Sequence, residues 1–476
     1  MENRGIPGTW ELVPLKDLGQ WSGGGTPSKA KPEYWEKGKI PWVSPKDMKT
    51  ERIVDSEDHI TKAAVEESTA KLISAGSVLI VTRSGILSHT LPVAVTTVPV
   101  TVNQDLKALT PKEGVLPEYV AWALRSFARD ILNTCSKQGT TVNSIETAAL
   151  HRFEIPVAPL DQQKHIVAEI EKQFSRLDEA VANLKRVKAN LKRYKAAVLK
   201  AAVEGRLVET EAELARKEGR SYETGEQLLQ RILETRRGQW KGKGKYKEPT
   251  APDITNLPEL PEGWVWANVD ELAEVVRGAS PRPAGDPKYF GGPIPWITVG
   301  PITAAEGAFL RAVPESVTEL GKENSRYIEP GTLLLTNSGA TLGVPKITLI
   351  GGCINDGVAA LLEVEGPLKM YLLHHLSSLT ESLRRINQGA AQPNLNTSII
   401  RAILIPLPPS SEQDRIVTEI DRRLSLVREV ESQIEANSLR SDRLRQSILA
   451  EAFSGRLLLK VTQERSQYVK SVAKGR

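Results

Sequence analysis

The chain has 476 residues, 40% of them hydrophobic and 25% charged, and its 63 basic residues against 58 acidic ones leave a net charge of +5. This composition is typical of folded globular proteins and excludes a wholly disordered, collagen-like or low-complexity chain. A length of 476 residues is enough for two or three domains that each bury a core.

Signals for membrane insertion and secretion are missing from the sequence. No apolar run approaches the ~18 residues of a membrane-spanning helix, and the amino terminus carries no signal-peptide core. We therefore expect a cytoplasmic protein without a membrane partner. In that compartment Cys135 and Cys353 are expected to be reduced, buried thiols.

Taken in chain order, the sequence predicts a β-rich globular domain followed by a long helix. The first domain covers residues 1–157, with strands near 77–82 and 91–100 and a helix near 117–134. The long helix lies within 158–207. It begins near Asp161, after two prolines, and ends at Gly205, a residue suited to a left-handed cap.

The second half of the chain predicts the same order of elements after a connecting segment. Residues 208–262 begin with a charged helical stretch and continue into Gly/Lys-rich and Pro-rich runs, which predict a basic flexible linker. The second domain covers 263–407. The second long helix lies within 408–457, where Ser410 and Gln413 have the spacing of a capping box, and a basic tail covers 458–476.

The two halves are copies of one another. Short strings at 40–42 (Ile-Pro-Trp), 84–85 (Ser-Gly), 138–139 (Gln-Gly) and 205–207 (Gly-Arg-Leu) return at 294–296, 338–339, 388–389 and 455–457. The offset between copies falls from 254 to 250 before residue 156 and stays constant after it. A one-residue insertion turns the rest of a helix by about 100°, whereas loops absorb insertions. Each copy is therefore predicted to be a loop-tolerant domain followed by a helix of fixed length.

The two long helices carry apolar residues at heptad spacing, which is typical of a coiled coil. The predicted seam residues are Ile170, Leu177, Leu184, Leu191 and Val198 in the first helix and Ile420, Val427, Ile434, Leu444 and Ile448 in the second. Asn437 and Ser441 are polar positions that could set the register. The simplest arrangement is an antiparallel pair about 66 Å long, with the two domains at opposite ends and related by an approximate two-fold axis.

The small net charge hides three basic clusters. Residues 185–206 contain eight basic residues and one acidic residue. Residues 231–247 contain seven basic residues and one acidic residue, and residues 460–476 contain five basic residues and one acidic residue. Such clusters favour contact with a phosphate backbone, although solvated helix faces have the same composition.

The sequence lacks the motifs of the common catalytic sites. No phosphate-binding Gly-x-x-x-x-Gly-Lys-Ser/Thr loop is present, and the six His and two Cys form no cluster with metal-ligand spacing. Ser84 and Ser338 have no repeated His partner that could make them nucleophiles. The chain is therefore interpreted as a binding protein with no catalytic residues and no metal site.

The order of the repeated motifs resembles that of the DNA-specificity subunits of type I restriction–modification systems. In each copy the resemblance rests on a Trp-containing opening, Ile-Pro-Trp, a Ser-Gly loop, Gln-Gly before Ile-Pro-x-x-Pro, and a long helix that ends in Gly-Arg-Leu. The first copy also has the turn at 24–28 (Gly-Gly-Thr-Pro-Ser), which the second replaces with Ala-Ser-Pro-Arg at 279–282. The resemblance covers nearly the whole chain.

The resemblance implies an α+β protein with two tandem-repeated, mixed β-rich target-recognition domains separated by two long helices in an antiparallel coiled coil. Each domain would read one half of a bipartite double-stranded DNA target, and the helices would set the spacer between the halves. The implied partners are two modification subunits, which bind S-adenosylmethionine and methylate adenine, and restriction subunits that use ATP and magnesium. None of these cofactors would be bound by this chain.

Polar loop residues are the candidates for DNA contact, because base edges are read by hydrogen bonds in the grooves. Arg83 and Arg282 are the first choices, since arginine can bind guanine with two hydrogen bonds. The full set of candidates is Thr26, Ser28, Arg83, Ser84, Gln138, Thr140, Thr141 and Asn143 in the first domain and Arg282, Asn337, Ser338, Gln388, Gln392 and Asn394 in the second.

One other class of function stays open at the level of sequence. A scaffold protein could use the same helix pair to organise partner proteins without touching DNA. Salt-dependent binding to duplex DNA separates the two, because counterion release gives a steep salt dependence only to a DNA-binding protein.

Overall fold

A computed structural model describes residues 6–137, 143–240, 244–364, 366–386 and 394–460. The chain forms two compact units, Met1–Lys185 with Ile434–Arg476, and Arg186–Gln433. The first unit holds the globular part of the first repeat and the second unit that of the second. Each long helix contributes residues to both units.

The first repeat is mixed α and β, as predicted. Its strands are β1 (Glu11–Pro14), β2 (Gly19–Gly23), β3 (Ile40–Val43), β4 (Arg52–Ile53), β5 (Asp58–Ile60), β6 (Val78–Val81), β7 (Val93–Thr96), β8 (Thr101–Val102), β9 (Leu106–Pro111), β10 (Ser136–Lys137), β11 (Ser144–Ile145) and β12 (Glu154–Val157). Its helices are α1 (Lys62–Glu67), α2 (Pro117–Ser126), α3 (Ala128–Cys135), α4 (Thr147–Arg152) and α5 (Leu160–Val203).

The second repeat follows two connecting helices, α6 (Glu211–Glu218) and α7 (Gly225–Gln239). Its strands are β13 (Val265–Asn268), β14 (Glu274–Arg277), β15 (Phe290–Ile297), β16 (Phe309–Leu310), β17 (Ser316–Val317), β18 (Arg326–Ile328), β19 (Leu333–Thr336), β20 (Pro345–Thr348), β21 (Gly352–Ile354), β22 (Val358–Leu362) and β23 (Leu404–Leu407). Its helices are α8 (Val269–Leu272), α9 (Val299–Ala304), α10 (Glu319–Glu323), α11 (Gly366–Ile386), α12 (Thr397–Arg401) and α13 (Ser410–Phe453).

The two repeats have the same main sheet. The strand order is β2-β9-β6-β7-β4 in the first and β14-β22-β19-β20-β16 in the second. In both sheets the last pair is parallel and the other pairs are antiparallel. All four residues of β6 and of β19 are buried, which explains why these central strands are continuous apolar runs. The shared topology confirms the internal repeat.

A smaller sheet lies beside the main sheet in each repeat. It has the order β5-β3-β8 in the first repeat and β17-β15-β21-β18 in the second. The repeated Ile-Pro-Trp string supplies its middle strand, so Trp42 pairs with Thr101 and Trp296 with Cys353 in parallel register. Cys135 and Cys353 are both buried and free, as expected from the sequence.

The opening strand of each repeat closes against the strand that leads into the long helix. Strand β1 pairs antiparallel with β12, and β13 with β23. This closure places Trp10 Nε1 2.7 Å from Gln162 Oε1, and Trp264 Nε1 3.0 Å from Glu412 Oε1. The repeated Trp therefore donates a hydrogen bond to the first turn of the long helix in both copies.

Both long helices have 44 residues, as the constant offset predicted. Gly205 (φ 66°) and Gly455 (φ 76°) follow them in the left-handed conformation that a Gly cap adopts. None of the described helices combines the length and the hydrophobicity that a membrane-spanning segment requires.

Within each unit, the two long helices contact each other. In the first unit Arg445 forms an ion pair with Asp178, and its guanidinium lies 4.9 Å from the centre of the Phe174 ring. In the second unit Lys195 Nζ lies 2.9 and 2.8 Å from the two carboxylate oxygens of Glu431.

The predicted seam is only partly buried. Ile170, Val198, Ile420, Val427 and Ile434 are all less than 10% exposed, and the other predicted residues of the same heptad series are half-buried. Leu444 is 41% exposed, so its assignment to the seam is wrong. The residues interleaved with this series also stay exposed, namely Val187, Tyr194, Val430 and Asn437. In α5 no residue between Phe174 and Val198 is buried, so the helices do not form the continuous buried seam of a full coiled coil.

The polar residues predicted to set the register behave differently from one another. Ser441 is buried and donates a hydrogen bond to the carbonyl oxygen of Asn437, one turn earlier on the same helix. The Asn437 side chain is exposed. Ser441 is therefore satisfied by its own helix, which explains how a polar residue is tolerated at this buried position.

The charged stretch after the first long helix forms two helices, α6 and α7, where the sequence predicted one. Gly219 (φ 66°) ends α6, and a capping box formed by Thr224 and Gln227 starts α7. Leu228 and Leu229 of α7 are buried in the core of the second repeat. A side chain at Gly225 would overlap the carbonyl oxygen of Leu407, so α7 lies directly against β23.

A buried carboxylate attaches α6 to the second repeat. Glu412, which is fully buried, accepts hydrogen bonds from the backbone N–H of Glu211 at 2.8 Å and from Trp264 Nε1. Burial raises the pKa of Glu412. Burial also opposes ionisation of Glu211, but ion pairs with Arg220 and Arg415, each at 2.6 Å, outweigh it and hold the pKa of Glu211 low.

We expect Glu412→Ala to destabilise the second repeat by about 2 to 4 kcal/mol, because it leaves two buried N–H donors without an acceptor. Gln162→Ala is the matched control. It removes the same contact to the repeated Trp in the first repeat, where the Gln162 side chain accepts a hydrogen bond from Trp10. The free energy of unfolding of each variant is measured by denaturant titration with hydrogen exchange in α6 as the probe. Equal losses in the two variants would contradict the role of Glu412 in holding α6.

A buried histidine makes the second repeat sensitive to acid. His375 on α11 is 5% exposed, and its Nε2 lies 2.8 Å from the carbonyl oxygen of Leu404. Burial lowers the pKa of His375 from 6.5 to about 4, so the folded state keeps this ring neutral. Below the ordinary pKa the unfolded chain takes up a proton that the folded chain does not.

The free energy of unfolding is therefore unaffected by the titration of His375 above pH ~6.5. As the pH falls from there towards 4 it decreases, by about 2 kcal/mol at pH 5, because only the unfolded chain binds the proton. His375→Gln should flatten this part of the dependence. The test is the denaturant midpoint of the second repeat at pH 7 and at pH 5, in the wild type and in the variant. An unchanged difference between the two pH values would show that other groups cause the acid sensitivity.

Candidate functional site

In the first repeat, four loops bring polar side chains together at one end of the sheets. Thr26, on the turn after β2, donates its hydroxyl to Gln104 Oε1 at 2.5 Å. Gln104 lies between β8 and β9, next to Asp105. Arg83, just after β6, places its Nε 2.6 Å from Asp105 Oδ1, and Asn103 Nδ2 lies 3.1 Å from Asp105 Oδ2.

The glycine-rich turn is what allows this convergence. A Cβ at Gly24 would overlap the carbonyl oxygen of Val102, and the Gly25 N–H donates to the same oxygen at 3.0 Å. The turn therefore lies on the backbone of β8 with no room for a side chain between them. Thr26 follows this contact, which places it beside the loop that begins at Asn103.

A fourth segment, residues 143–145, joins the cluster after β10. The Ser84 N–H donates to the carbonyl oxygen of Asn143 at 3.2 Å, and the backbones of Arg83 and Ser144 pair in an isolated antiparallel β-bridge. Thr26, Arg83, Ser84 and Asn143 are thus brought together, and their contact with DNA stays a prediction. Ser28 is exposed at the end of the Gly24–Ser28 turn. Gln138, Thr140 and Thr141 lie outside the described residues.

The second repeat builds the same cluster from different side chains. A Cβ at Gly278 would overlap the carbonyl oxygen of Asn355, so this turn also lies directly on its neighbouring strand end. Ser280 donates its hydroxyl to Asp356 Oδ1 at 2.5 Å. Arg282 lies 4.0 Å from Asp356 Oδ2. The backbones of Ser338 and Asn394 pair in an isolated antiparallel β-bridge. Gln388 and Gln392 lie outside the described residues.

The two Ser-Gly strings do not occupy equivalent positions in the two repeats. Backbone hydrogen bonds show that the structural match is displaced by one residue. Thr82 donates its N–H to the Asp105 carbonyl, whereas the equivalent bond in the second repeat runs from Asn337 to Gly357. Ser338 therefore occupies the position of Arg83, not that of Ser84. Gly357 occupies the position of Asp105, so the Arg83–Asp105 ion pair has no counterpart at this place in the second repeat.

Two of the candidates are poorly placed to contact a ligand directly. Asn337 is fully buried, and neither polar atom of its side chain has a hydrogen-bond partner. Ser84 accepts a weak bond from the Ile86 N–H at 3.4 Å and starts a helical turn. Arg83, Ser28, Arg282 and Asn394 are exposed, so they stay available for contact.

Sequence reasoning missed the acceptors that organise both clusters. Gln104 and Asp356 hold the turn hydroxyls, and Asp105 holds Arg83. The sequence did carry a signal for two of them, because Gln104 and Asp356 each directly follow an Asn that recurs at an offset of 252 residues, Asn103 and Asn355. A recess of about 530 Å³ is lined in part by Ser280, Arg282, Asn355, Phe290 and Trp296.

Within the described part of the chain, no group of three or more His, Cys, Asp or Glu side chains is arranged to hold a metal ion. Both clusters instead present hydroxyl, amide, carboxylate and guanidinium groups at loop ends. Such groups recognise a ligand by hydrogen bonds and charge.

Comparison with known proteins gives a consistent family. The family model described as the type I restriction modification DNA specificity domain matches residues 7–193 and 261–436. The specificity subunit of the type I restriction enzyme EcoR124I/EcoR124II from Escherichia coli is 46% identical over 174 residues. That alignment spans 37% of this chain and 43% of the relative's length.

Two solved structures share the fold along almost the entire chain. The HsdS subunit from Thermoanaerobacter tengcongensis superposes with a TM-score of 0.56 at 19% identity, covering 95% of this chain and 98% of that one. A chain from a structural study of the assembly of the type I R-M system gives a TM-score of 0.66 at 21% identity, with 95% and 99% covered. The family model accounts for more than half of the residues and matches twice, once in each repeat, so this chain belongs to the type I restriction–modification DNA-specificity family.

Proposed function

We propose that this chain is the specificity subunit of a type I restriction–modification complex, in which each repeat reads one half of a bipartite double-stranded DNA target. The observation that carries the proposal is that one sheet topology presents a polar loop cluster twice in the chain, with different side chains in each copy. The same fold with different loop chemistry suits two half-sites of different sequence.

Arginines at the clusters are the proposed base contacts. The Arg83 side chain is 55% exposed and the Arg282 side chain 73% exposed. Asp105 holds Arg83 through its Nε, which fixes the plane of the guanidinium and leaves the terminal nitrogens for a base. Two parallel hydrogen bonds to guanine O6 and N7 suit that geometry.

The proposed function is tested by selecting bound duplexes from a randomised library with the full-length chain. We expect one bipartite motif and a steep fall in affinity with salt, since phosphate contacts release counterions. Arg83→Ala should relax one base position in one half-site and leave the other half-site unchanged. An equal loss on all sequences would make Arg83 a phosphate contact, and no binding to duplex DNA would favour a scaffold protein.

The two long helices are proposed to run antiparallel and to set the spacer between the half-sites. In support, Asp178 contacts Arg445 in the first unit, whereas Lys195, further along the first helix, contacts Glu431, which lies earlier on the second. The repeated Trp holds the first turn of each helix to its own domain. The helix length would then fix the distance between the domains, giving an approximate two-fold arrangement.

Inserting seven residues after Lys185 and seven after Gln433 should lengthen the preferred spacer by about three base pairs. Seven residues add about 10 Å of helix and keep the heptad phase, and one base pair rises 3.4 Å. The library selection measures this spacer. As a control, inserting one residue at each place turns the helix by about 100° and should impair folding or binding. An unchanged spacer in the seven-residue variant would refute the proposal that helix length sets the spacer.

The exposed apolar side chains on the long helices are the proposed docking positions for two modification subunits. The residues are Val187, Tyr194, Leu426 and Val430 in the second unit and Leu439 and Leu444 in the first, each between 37% and 62% exposed. Large apolar side chains exposed along a helix suit a surface that binds protein. S-adenosylmethionine would be bound by these partners, and ATP and magnesium by restriction subunits. This chain would act without catalysis of its own.

Mixing the full-length chain with its modification subunit should give a complex of two modification subunits with one specificity subunit, measured by native mass. Replacing Leu426 and Leu439 by Ser should weaken this association, because it removes apolar area from the proposed contact. Arg83→Ala is the matched control and should assemble normally. Assembly that is insensitive to both Leu replacements would place the partner surface elsewhere.

A further inference from the structure

We propose that Gln104 and Asp356 each read a base edge, and that they do so with opposite hydrogen-bonding character. This inference rests on the proposed function. Both side chains occupy the same place in their repeats, one residue after Asn103 or Asn355 and facing the glycine turn. Both accept a hydroxyl hydrogen bond of 2.5 Å from the turn, Gln104 from Thr26 and Asp356 from Ser280.

In the first repeat the hydroxyl fixes which end of the amide is presented. Thr26 donates to Oε1 of Gln104, so the NH₂ group is the end that remains for a ligand. Gln104 is exposed. An amide held in this way donates to acceptor groups, which in the major groove are guanine O6 and N7, adenine N7 and thymine O4.

In the second repeat the equivalent hydrogen bond leaves one carboxylate oxygen of Asp356 as an acceptor for a ligand. Ser280 donates to Oδ1 of Asp356, and Oδ2 remains, with Arg282 at 4.0 Å. The Asp356 side chain is 47% exposed. A carboxylate is repelled by phosphate, so a DNA contact here has to be with a base. It accepts from the exocyclic amino groups, cytosine N4 or adenine N6.

Thr26 and Ser280 are therefore positioning residues. Each acts through the side chain that its hydroxyl holds. This assignment differs from the expectation that Thr26 contacts DNA itself. It also explains why the turn must lie so close to the neighbouring strand end at Gly24 and Gly278, since a hydroxyl bond of 2.5 Å leaves no space for displacement of the turn.

The test uses the full-length chain in the randomised-library selection, with Gln104→Glu and Asp356→Asn. These substitutions preserve size and exchange the hydrogen-bonding character. Each should change the preferred base at one position of its own half-site, with about a tenfold loss for the base that the wild type prefers there. The other half-site should be unchanged, which also shows that the variant is folded.

Matched variants separate positioning from direct contact. Thr26→Val and Ser280→Ala remove the hydroxyl and should weaken discrimination at the same positions, whereas Thr26→Ser and Ser280→Thr keep a hydroxyl and should restore it. If Asp356→Asn raises affinity for all sequences alike, Asp356 lies near phosphate and the inference fails. It also fails if the wild type selects a bipartite motif that both variants leave unchanged. A wild type that selects no bipartite motif would overturn the proposed function itself.

Discussion

The polar loop cluster of each repeat depends on one close backbone contact, that of a glycine in the turn after the first strand of the main sheet. Gly24 lies against the carbonyl oxygen of Val102 and Gly278 against that of Asn355, and neither position has space for a Cβ. Because the turn is held at this distance, the hydroxyl two residues further on reaches the next loop. The polar cluster is thus determined by backbone packing, while its chemistry is left to the side chains around it.

That division explains how one fold can carry two different surfaces. The first repeat has an ion pair, Arg83 with Asp105, at a place where the second has Ser338 and Gly357. The second repeat supplies its arginine from the turn instead, as Arg282. The apolar strands β6 and β19 are buried in both copies and constrain the sequence far more than the loop ends do. Arg83 and Arg282 at the loop ends are exposed and lie outside that core.

The repeat, the helix lengths and the long-helix boundaries could be predicted from the sequence, because a constant offset and Gly caps are local signals. The Ser-Gly match was misplaced by one residue, since pairing of β6 with β9 decides the register and an identical dipeptide does not. Leu444 has heptad spacing but is exposed, because spacing does not show which face meets a partner. Gln104 and Asp356 were missed because their role arises from contact with residues 78 and 76 positions away.

The long helices are joined to the globular domains by buried polar contacts rather than by flexible loops. Trp10 and Trp264 donate to the first turn of α5 and of α13, and Tyr119 and Tyr371 donate to the carbonyl oxygens of Pro156 and Pro406 in the strands that lead into those helices. In the second repeat Glu412 adds a bond to α6. A helix held at its first turn cannot slide along its own domain without leaving buried donors unpaired. We therefore expect a change in helix length to displace the polar loop cluster, because buried hydrogen bonds hold the first turn of each helix to its own domain.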